Sequence, residues 1–308
     1  MLRQAQHENN NTMSKLTITD LWIYPIKSIG GIQLTSSKVE HRGLQYDRRW
    51  VLADLNGMFI SQREFPELAL LQPSIAGTTI TISHKNKDLA PLTFSTKEPD
   101  SNPINVTVWD DTMPAKPVSE KASQWFSDYI GQPAQLLYMH NDSIRQADQR
   151  YAINESDKVS FADGYPILII SEESLEQLNN LASEEVPMGR FRANVIVKGG
   201  EAHIEDRVKR LKVGETEWYG VKPCARCVMT TIDLGTAQKR REPLLTLSKY
   251  RKVGSKILFG ENFIPLSEGH IEVGQELNIE LWKEPAIAED SMSLKERMNE
   301  LYLQMKRP

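Results

Sequence analysis

Two cysteines, Cys224 and Cys227, stand in the segment Pro223-Cys-Ala-Arg-Cys227, and the chain has no others. A thiol pair at this spacing has four chemistries open to it. A dithiol redox pair sits at a helix N-terminus, where the dipole lowers the thiol pKa. Here the following residues, Val228-Met-Thr-Thr-Ile232, carry a β-branched pattern that predicts a strand instead. A structural zinc site needs four ligands, and the six histidines (His7, His41, His84, His140, His203, His270) are scattered singly. Free cysteines are most often small buried apolar side chains with no chemical task. The fourth possibility is one thiolate ligating a soft metal whose remaining ligands come from a cofactor. Composition leaves the last two open.

A second group of residues has the chemistry of an anion holder. Tyr24-Pro-Ile-Lys-Ser28, followed by Gly30-Gly31, offers an ammonium, a hydroxyl and flexible backbone amides to a phosphate. Arg48 and Arg49 in Asp47-Arg-Arg-Trp50, and Arg190 and Arg192 in Gly189-Arg-Phe-Arg-Ala-Asn194, put guanidiniums at strand edges. Any one of these alone reads as a surface group or a salt-bridge partner. Together they are how a chain of net charge −4 could grip an anion.

That net charge excludes a nucleic-acid binder working by bulk attraction. With 40% hydrophobic and 25% charged residues the chain has the composition of a folded globular protein. No apolar run approaches the ~20 residues of a membrane-spanning helix, so no membrane association is expected. Residues 1–15 are polar, rich in Asn and Gln, and lack the apolar run of a secretory signal. They are expected to be a disordered extension, with Met13 as a candidate start. Two cysteines indicate a reducing compartment rather than a disulfide scaffold, and the expected location is cytoplasmic.

The elements that must position these groups are mostly strands. Residues 16–24, 50–53 and 77–82 alternate as strands, and Asn56-Gly57 is a tight-turn signal. Ser119 opens a helix with Ala122, Trp125, Phe126 and Tyr129 on one face and Gly131 as its stop. Residues 166–170 read as a buried strand. Ser171 then caps a helix whose apolar face is Leu175, Leu178 and Ala182. Further strands are expected around 194–197, 210–213, 256–259 and 277–281, with a helix over 243–250. The predicted class is β-rich α+β. An N-terminal β-barrel-like domain would span 16–100, a larger β-barrel domain with connecting helices 101–282, and an amphipathic helix 283–308. The last carries Leu294, Met298, Leu301 and Met305 at helical spacing, and Ser293 and Glu296 at capping-box spacing.

Several segments, in this order, resemble the MOSC family (molybdenum cofactor sulfurase C-terminal domain), within it the branch that reduces amidoximes and hydroxylaminopurines. They are Leu21-Trp-Ile-Tyr-Pro-Ile-Lys-Ser28, Tyr46-Asp-Arg-Arg-Trp50, Phe191-Arg-Ala-Asn194, Cys224-Ala-Arg-Cys-Val-Met-Thr-Thr-Ile-Asp233, Arg241-Glu-Pro-Leu-Leu-Thr-Leu247 and Tyr250-Arg251. The likeness covers roughly residues 16–281 and implies both an N-terminal barrel and a MOSC domain. It implies a molybdenum cofactor, molybdopterin bearing one molybdenum, whose protein ligand is the sulfur of Cys227, with Cys224 as its neighbour. Lys27, Ser28, Arg48 and Arg192 fall on positions that grip the pterin and its phosphate. The implied activity is reduction of small N-hydroxylated compounds by oxygen-atom removal at the metal. The other reading is a carrier of the cofactor, or of sulfur, without turnover of its own. Glu205 and Asp206 match an acidic pair of the family but read here as solvated or turn-capping residues. Some relatives add a ferredoxin-like domain whose iron–sulfur cluster needs four cysteines. No cysteine follows Cys227, so no such cluster is expected in this chain, and electrons would come from a separate ferredoxin-, flavodoxin- or reductase-type protein.

Overall fold

Leu16–Ile23 is a strand because apolar residues recur at alternate positions, and Leu16, Ile18, Leu21 and Ile23 are all at most 2% exposed. The alternation skips a beat between Ile18 and Leu21. A register shift at the same place in the pairing with Val195–Lys198 absorbs the extra residue as a bulge. The structure, a computed structural model, describes residues 15–287. Of the expected extension 1–15 and the expected helix 283–308, residues 1–14 and 288–308 lie outside the described residues, and 283–287 are not helical.

This first strand closes a barrel of seven strands. In spatial order they are Ile167–Ser171, Val195–Lys198, Leu16–Ile23, Glu276–Trp282, Val208–Val213, Thr216–Ala225 and Lys256–Pro265. Pairing of Lys256–Pro265 with Ile167–Ser171 returns the sheet to its start. Only the pair Ile167–Ser171 and Val195–Lys198 is parallel, and the helix Glu172–Leu181 lies in the connection between them. Trp218, Phe263, Ile169, Val195 and Leu211 fill the interior.

A second β unit is built from the sheet Trp50–Ala53, Gln135–Tyr138, Asp111–Pro117 and Ile104–Val108, with a three-stranded sheet of Leu71–Ala76, Thr79–His84 and Leu92–Ser95. The helix Glu120–Ile130 packs onto it, sharing a core of Trp50, Leu68, Ile80, Phe126 and Leu136. Ser119 accepts a hydrogen bond from the Ala122 N–H at 3.1 Å, and Gly131 takes the left-handed conformation (φ 74°) that ends the helix. The β-rich α+β class holds, with three α-helices among the described residues. Strand pairing runs across residue 100: Leu16–Ile23 belongs to the larger barrel, whereas Ile104–Val108 and Asp111–Pro117 belong to the smaller unit.

One element differs from its sequence pattern. Val228–Thr231 is a 3-10 turn, not a strand. The Thr230 and Thr231 hydroxyls donate to the carbonyls of Cys227 (3.0 Å) and Val228 (2.8 Å), so β-branched residues satisfy the backbone locally instead of through a ladder.

The two ends of the Glu120–Ile130 helix and its buried face differ in weight. Ser119→Ala should lower unfolding free energy by about 1 kcal/mol, and Phe126→Ala by about 3–5 kcal/mol. Urea unfolding followed by circular dichroism checks both values.

Candidate functional site

The first barrel strand delivers Tyr24 to Ser28 into the junction of the two units. The Lys27 N–H donates to the Trp50 carbonyl at 2.8 Å and the Trp50 N–H to the Pro25 carbonyl at 3.0 Å, so this backbone is tied to the smaller unit's core. Lys27 is buried and its ammonium donates to the Phe161 carbonyl (2.9 Å) and to Asp163 Oδ1 (2.6 Å). Burial lowers the Lys27 pKa, and the Asp163 carboxylate opposes that. For Asp163, burial acts upward. It is outweighed by the Lys27 charge and by hydrogen bonds from Lys27 and Trp109, which hold the carboxyl well below its usual range.

Asp47 organises the next layer. It is 2% exposed, accepts from the Tyr24 N–H at 2.8 Å and pairs with the Arg48 guanidinium at 2.6 Å. Burial raises its pKa, and the Arg48 charge acts against this. The Arg48 guanidinium carbon lies 4.5 Å from the centre of the Tyr24 ring, and that of Arg192 lies 4.2 Å from it. Arg48 also donates to the Arg192 carbonyl at 3.0 Å. Burial, and then the Arg48 charge, bring Arg192 down to about 10. Ser28 (φ 68°), Arg48 (φ 48°) and Arg192 (φ 55°) all sit in left-handed backbone, the kind of strain that persists only where surrounding structure enforces it.

The strand Thr216–Ala225 brings the two cysteines to the same place. Arg226, between them, has its N–H bonded to the Ile257 carbonyl at 2.7 Å. Its side chain donates to Cys224 Sγ at 3.0 Å and to the Phe191 carbonyl. Cys227 is half-buried, and its sulfur accepts from Arg63 Nη2 at 3.3 Å.

Lys27, Ser28, Arg48, Arg192 and Cys227 all line one cleft, with Cys224, at the junction. It encloses about 770 Å³ of atom-free space including its mouth. Five cations (Lys27, Arg48, Arg190, Arg192, Arg226) line it against one carboxylate, Asp163. Lys27, Arg48 and Arg190 have carboxylate partners, whereas Arg192 and Arg226 have none among the described residues. Buried polar atoms of four lining residues lack any hydrogen-bond partner: Ser28 Oγ, Arg190 Nε, Arg192 Nη2 and Arg226 Nε. A cleft with this surplus of charge and unspent donors is complementary to an anion. No three His, Cys, Asp or Glu side chains cluster as a metal site among the described residues.

Three sequence readings need correction. The Gly30 N–H is spent on the Leu71 carbonyl at 3.1 Å, and neither glycine lines the cleft. These glycines allow close packing instead: a Cβ on Gly31 would meet the Tyr24 ring at 2.6 Å. Arg49 is a structural residue, bonded to Tyr138, the Met139 carbonyl and Asn141. Glu205 and Asp206 are each 1% exposed, not solvated. Glu205 accepts from the Ser171 and Ser174 hydroxyls at 2.8 and 2.9 Å, and Asp206 pairs with Arg251. Sequence reasoning missed Arg63, Asp163 and Trp109, which reach the site from distant loops. It also passed over Arg226, whose position between the cysteines was a usable signal.

Fold and site define a β-barrel protein with a cationic, thiol-edged cleft at the junction of two β units. A family model described as the MOSC N-terminal beta barrel domain matches residues 15–133, and one described as the MOSC domain matches residues 156–278. The human mitochondrial amidoxime-reducing component 1 is 30% identical over 84% of this chain and 81% of its own. Human mitochondrial amidoxime reducing component 2 is 29% identical over 76% of this chain and 72% of its own. The rice molybdenum cofactor sulfurase is 28% identical over 88% of this chain, which corresponds to 35% of that longer protein. The chain belongs to the MOSC family.

Burial and the neighbouring Asp206 charge raise the Glu205 pKa from 4.5 to about 7. The folded chain therefore holds this proton more tightly than the unfolded chain. The resulting stabilisation is complete below about pH 4.5 and is lost as pH rises through about 7. Glu205→Gln keeps an acceptor oxygen for the serines and cannot titrate. Its unfolding free energy, measured from pH 5 to 8, should fall less steeply than that of the unsubstituted protein. The buried Glu261 carboxyl, also raised by burial, supplies the slope that remains.

Proposed function

We propose that the chain binds the molybdenum cofactor in this cleft, with Cys227 as the protein ligand of the metal, and that it reduces small N-hydroxylated compounds: N-hydroxylated bases, amidoximes and hydroxylamines. The observation that carries this reading is the pairing of an accessible thiol with unpartnered buried donors on Ser28 and Arg192 in one cationic cleft. A pterin phosphate is the kind of group such donors require, because a buried phosphate demands charge-assisted hydrogen bonds. The fit extends to the thiol, since a soft metal takes thiolate readily and the cofactor's dithiolene would add two further sulfurs. The names of the amidoxime-reducing relatives support the reductase assignment.

When bound, the cofactor would supply two-electron redox chemistry coupled to removal of an oxygen atom from nitrogen. The chain's own residues have other tasks. Lys27, Ser28, Arg48 and Arg192 hold the phosphate and pterin, and an anion there would relieve the mutual repulsion of Arg48 and Arg192. Arg63 donates to the Cys227 sulfur, a contact that orients the ligand and tunes its charge. Phe191, Leu168 and Met229 line the cleft and exclude water. Overall, two electrons and two protons convert each N–OH to N–H and water, with cleavage of the N–O bond. A separate ferredoxin-, flavodoxin- or reductase-type protein supplies the electrons. Two free thiols suit a reducing compartment, the cytoplasm in this proposal.

Protein made in a host that assembles the cofactor should carry near-equimolar molybdenum by elemental analysis, with pterin fluorescence. Cys227→Ala should lose the metal, and Cys227→Ser should abolish turnover of an N-hydroxylated base driven by a reduced viologen. Cys224→Ser should keep most of both. Folded protein without molybdenum, or Cys227→Ser with full activity, rejects the assignment. Bound cofactor without turnover would identify the chain as a carrier.

A further inference from the structure

Two sets of side chains gather around Cys227, and the second touches its sulfur only through Arg63. One is the cleft lining. The other comes from the smaller β unit: Arg63, whose Nη2 donates to Sγ at 3.3 Å, and Trp109, whose ring centre lies 4.3 Å from the Arg63 guanidinium carbon. Neither Arg63 nor Trp109 lines the cleft that the cofactor would fill. Arg63 reaches the Cys227 sulfur, and Trp109 reaches the rim of the cleft through Asp163, which lines it.

Trp109 is unusual in its backbone and in its exposure. With Asp110 it forms the two-residue loop between Ile104–Val108 and Asp111–Pro117, and its φ is 59°. Asn, Asp and Gly take this left-handed conformation readily, and a large aromatic residue takes it at a cost. Burial does not offset that cost, because Trp109 remains 40% exposed. The indole is nevertheless fixed. Its Nε1 donates to Asp163 Oδ1 at 3.2 Å, and its ring meets Phe59 edge-on at 4.9 Å between centres. A strained turn that holds a half-open aromatic surface one guanidinium away from Cys227 is poorly explained by packing, but it suits recognition of a flat ligand.

We propose that Trp109 and Arg63 form the substrate-side wall of the Cys227 site, where the exposed indole stacks a planar N-hydroxylated substrate such as an N-hydroxylated purine. The proposal rests on the reductase reading above and deepens it, because it names the shape of the preferred substrate. Arg63 contacts both the indole and the Cys227 sulfur, and Asp163 ties the indole to Lys27 at the cofactor cleft. A ring system gains dispersion and stacking on this wall. Hydroxylamine, which has no π face, gains neither.

The test is calorimetric binding of 6-hydroxylaminopurine to molybdenum-loaded protein, with metal content measured for every variant. Trp109→Ala should bind the purine about tenfold more weakly, the scale of losing one base–aromatic stack, and Trp109→Phe should recover most of the loss. In steady-state assays, KM for the purine should rise in Trp109→Ala by a larger factor than KM for hydroxylamine. Trp109→Asn, which suits the turn, should keep its melting temperature while losing purine affinity. Equal purine affinity in Trp109→Ala, no purine binding by the unsubstituted protein, or loss of metal in Trp109→Ala each overturns the proposal. Purine bound with a Trp109-dependent affinity but never reduced would instead overturn the reductase reading and leave the stacking wall standing.

Discussion

Everything at the cleft depends on two guanidiniums crowded over one tyrosine ring. Arg48 and Arg192 both lie within 4.5 Å of the Tyr24 ring centre. Asp47 holds the Tyr24 backbone with one carboxylate oxygen and Arg48 with the other. Like charges in a buried place repel, and only one carboxylate is directly at hand to offset them. The arrangement is stable because the ring screens both cations and the backbone around them is over-determined. It leaves positive charge and spare donors where a phosphate would satisfy both. Much of the surrounding detail follows from this constraint: a glycine at position 31 so that the ring can sit, left-handed backbone at Arg48 and Arg192, and an asparagine at 194 whose amide bonds the Trp22 carbonyl at 3.1 Å.

The two β units contribute unequally to this site. Lys27 and Ser28 extend from a strand of the large barrel, yet their backbone is hydrogen-bonded to Trp50 of the smaller unit. Arg192 and Cys227 come from the large barrel's loops and Cys224 from its strand Thr216–Ala225, while Arg63 and Trp109 come from the smaller unit. The site is therefore not a pocket within either β unit. It exists only where their cores are held in register, which makes the bridge between Ile26 and Trp50 as much a part of the site as any lining residue.

Residues adjacent in sequence were legible, and residues gathered by folding were not. Lys27-Ser28, the paired arginine segments and the two cysteines could be singled out because reactive types stand close together along the chain. The Glu120–Ile130 helix was equally plain, since Ser119, a periodic apolar face and Gly131 all agree. The turn after Cys227 was misread because β-branched threonines look like a strand until their hydroxyls are seen to cap local carbonyls. Gly30 and Gly31 looked like anion binders, although what they permit is close approach by Leu71 and Tyr24. Glu205 and Asp206 looked solvated because a sequence carries no sign of the partners, Ser171, Ser174 and Arg251, that make their burial tolerable. Arg63, Asp163 and Trp109 carry no local pattern at all. Their meeting is a product of tertiary closure.

The barrel's first strand has a consequence for the order of events during synthesis. Leu16 pairs with Leu277, near the other end of the described chain, and the same strand leads directly into Lys27 and Ser28. A ribosome releasing the chain from its N-terminus exposes Leu16–Ile23 long before its partner Glu276–Trp282 has been made. Until then the strand has an unpaired edge, and the Tyr24 to Ser28 segment lacks one of the supports that fix it. Contacts of such long sequence separation form late and slowly. Completion of the cleft is thereby a post-translational event, and the early strand is a segment for which a nascent-chain chaperone would have a use.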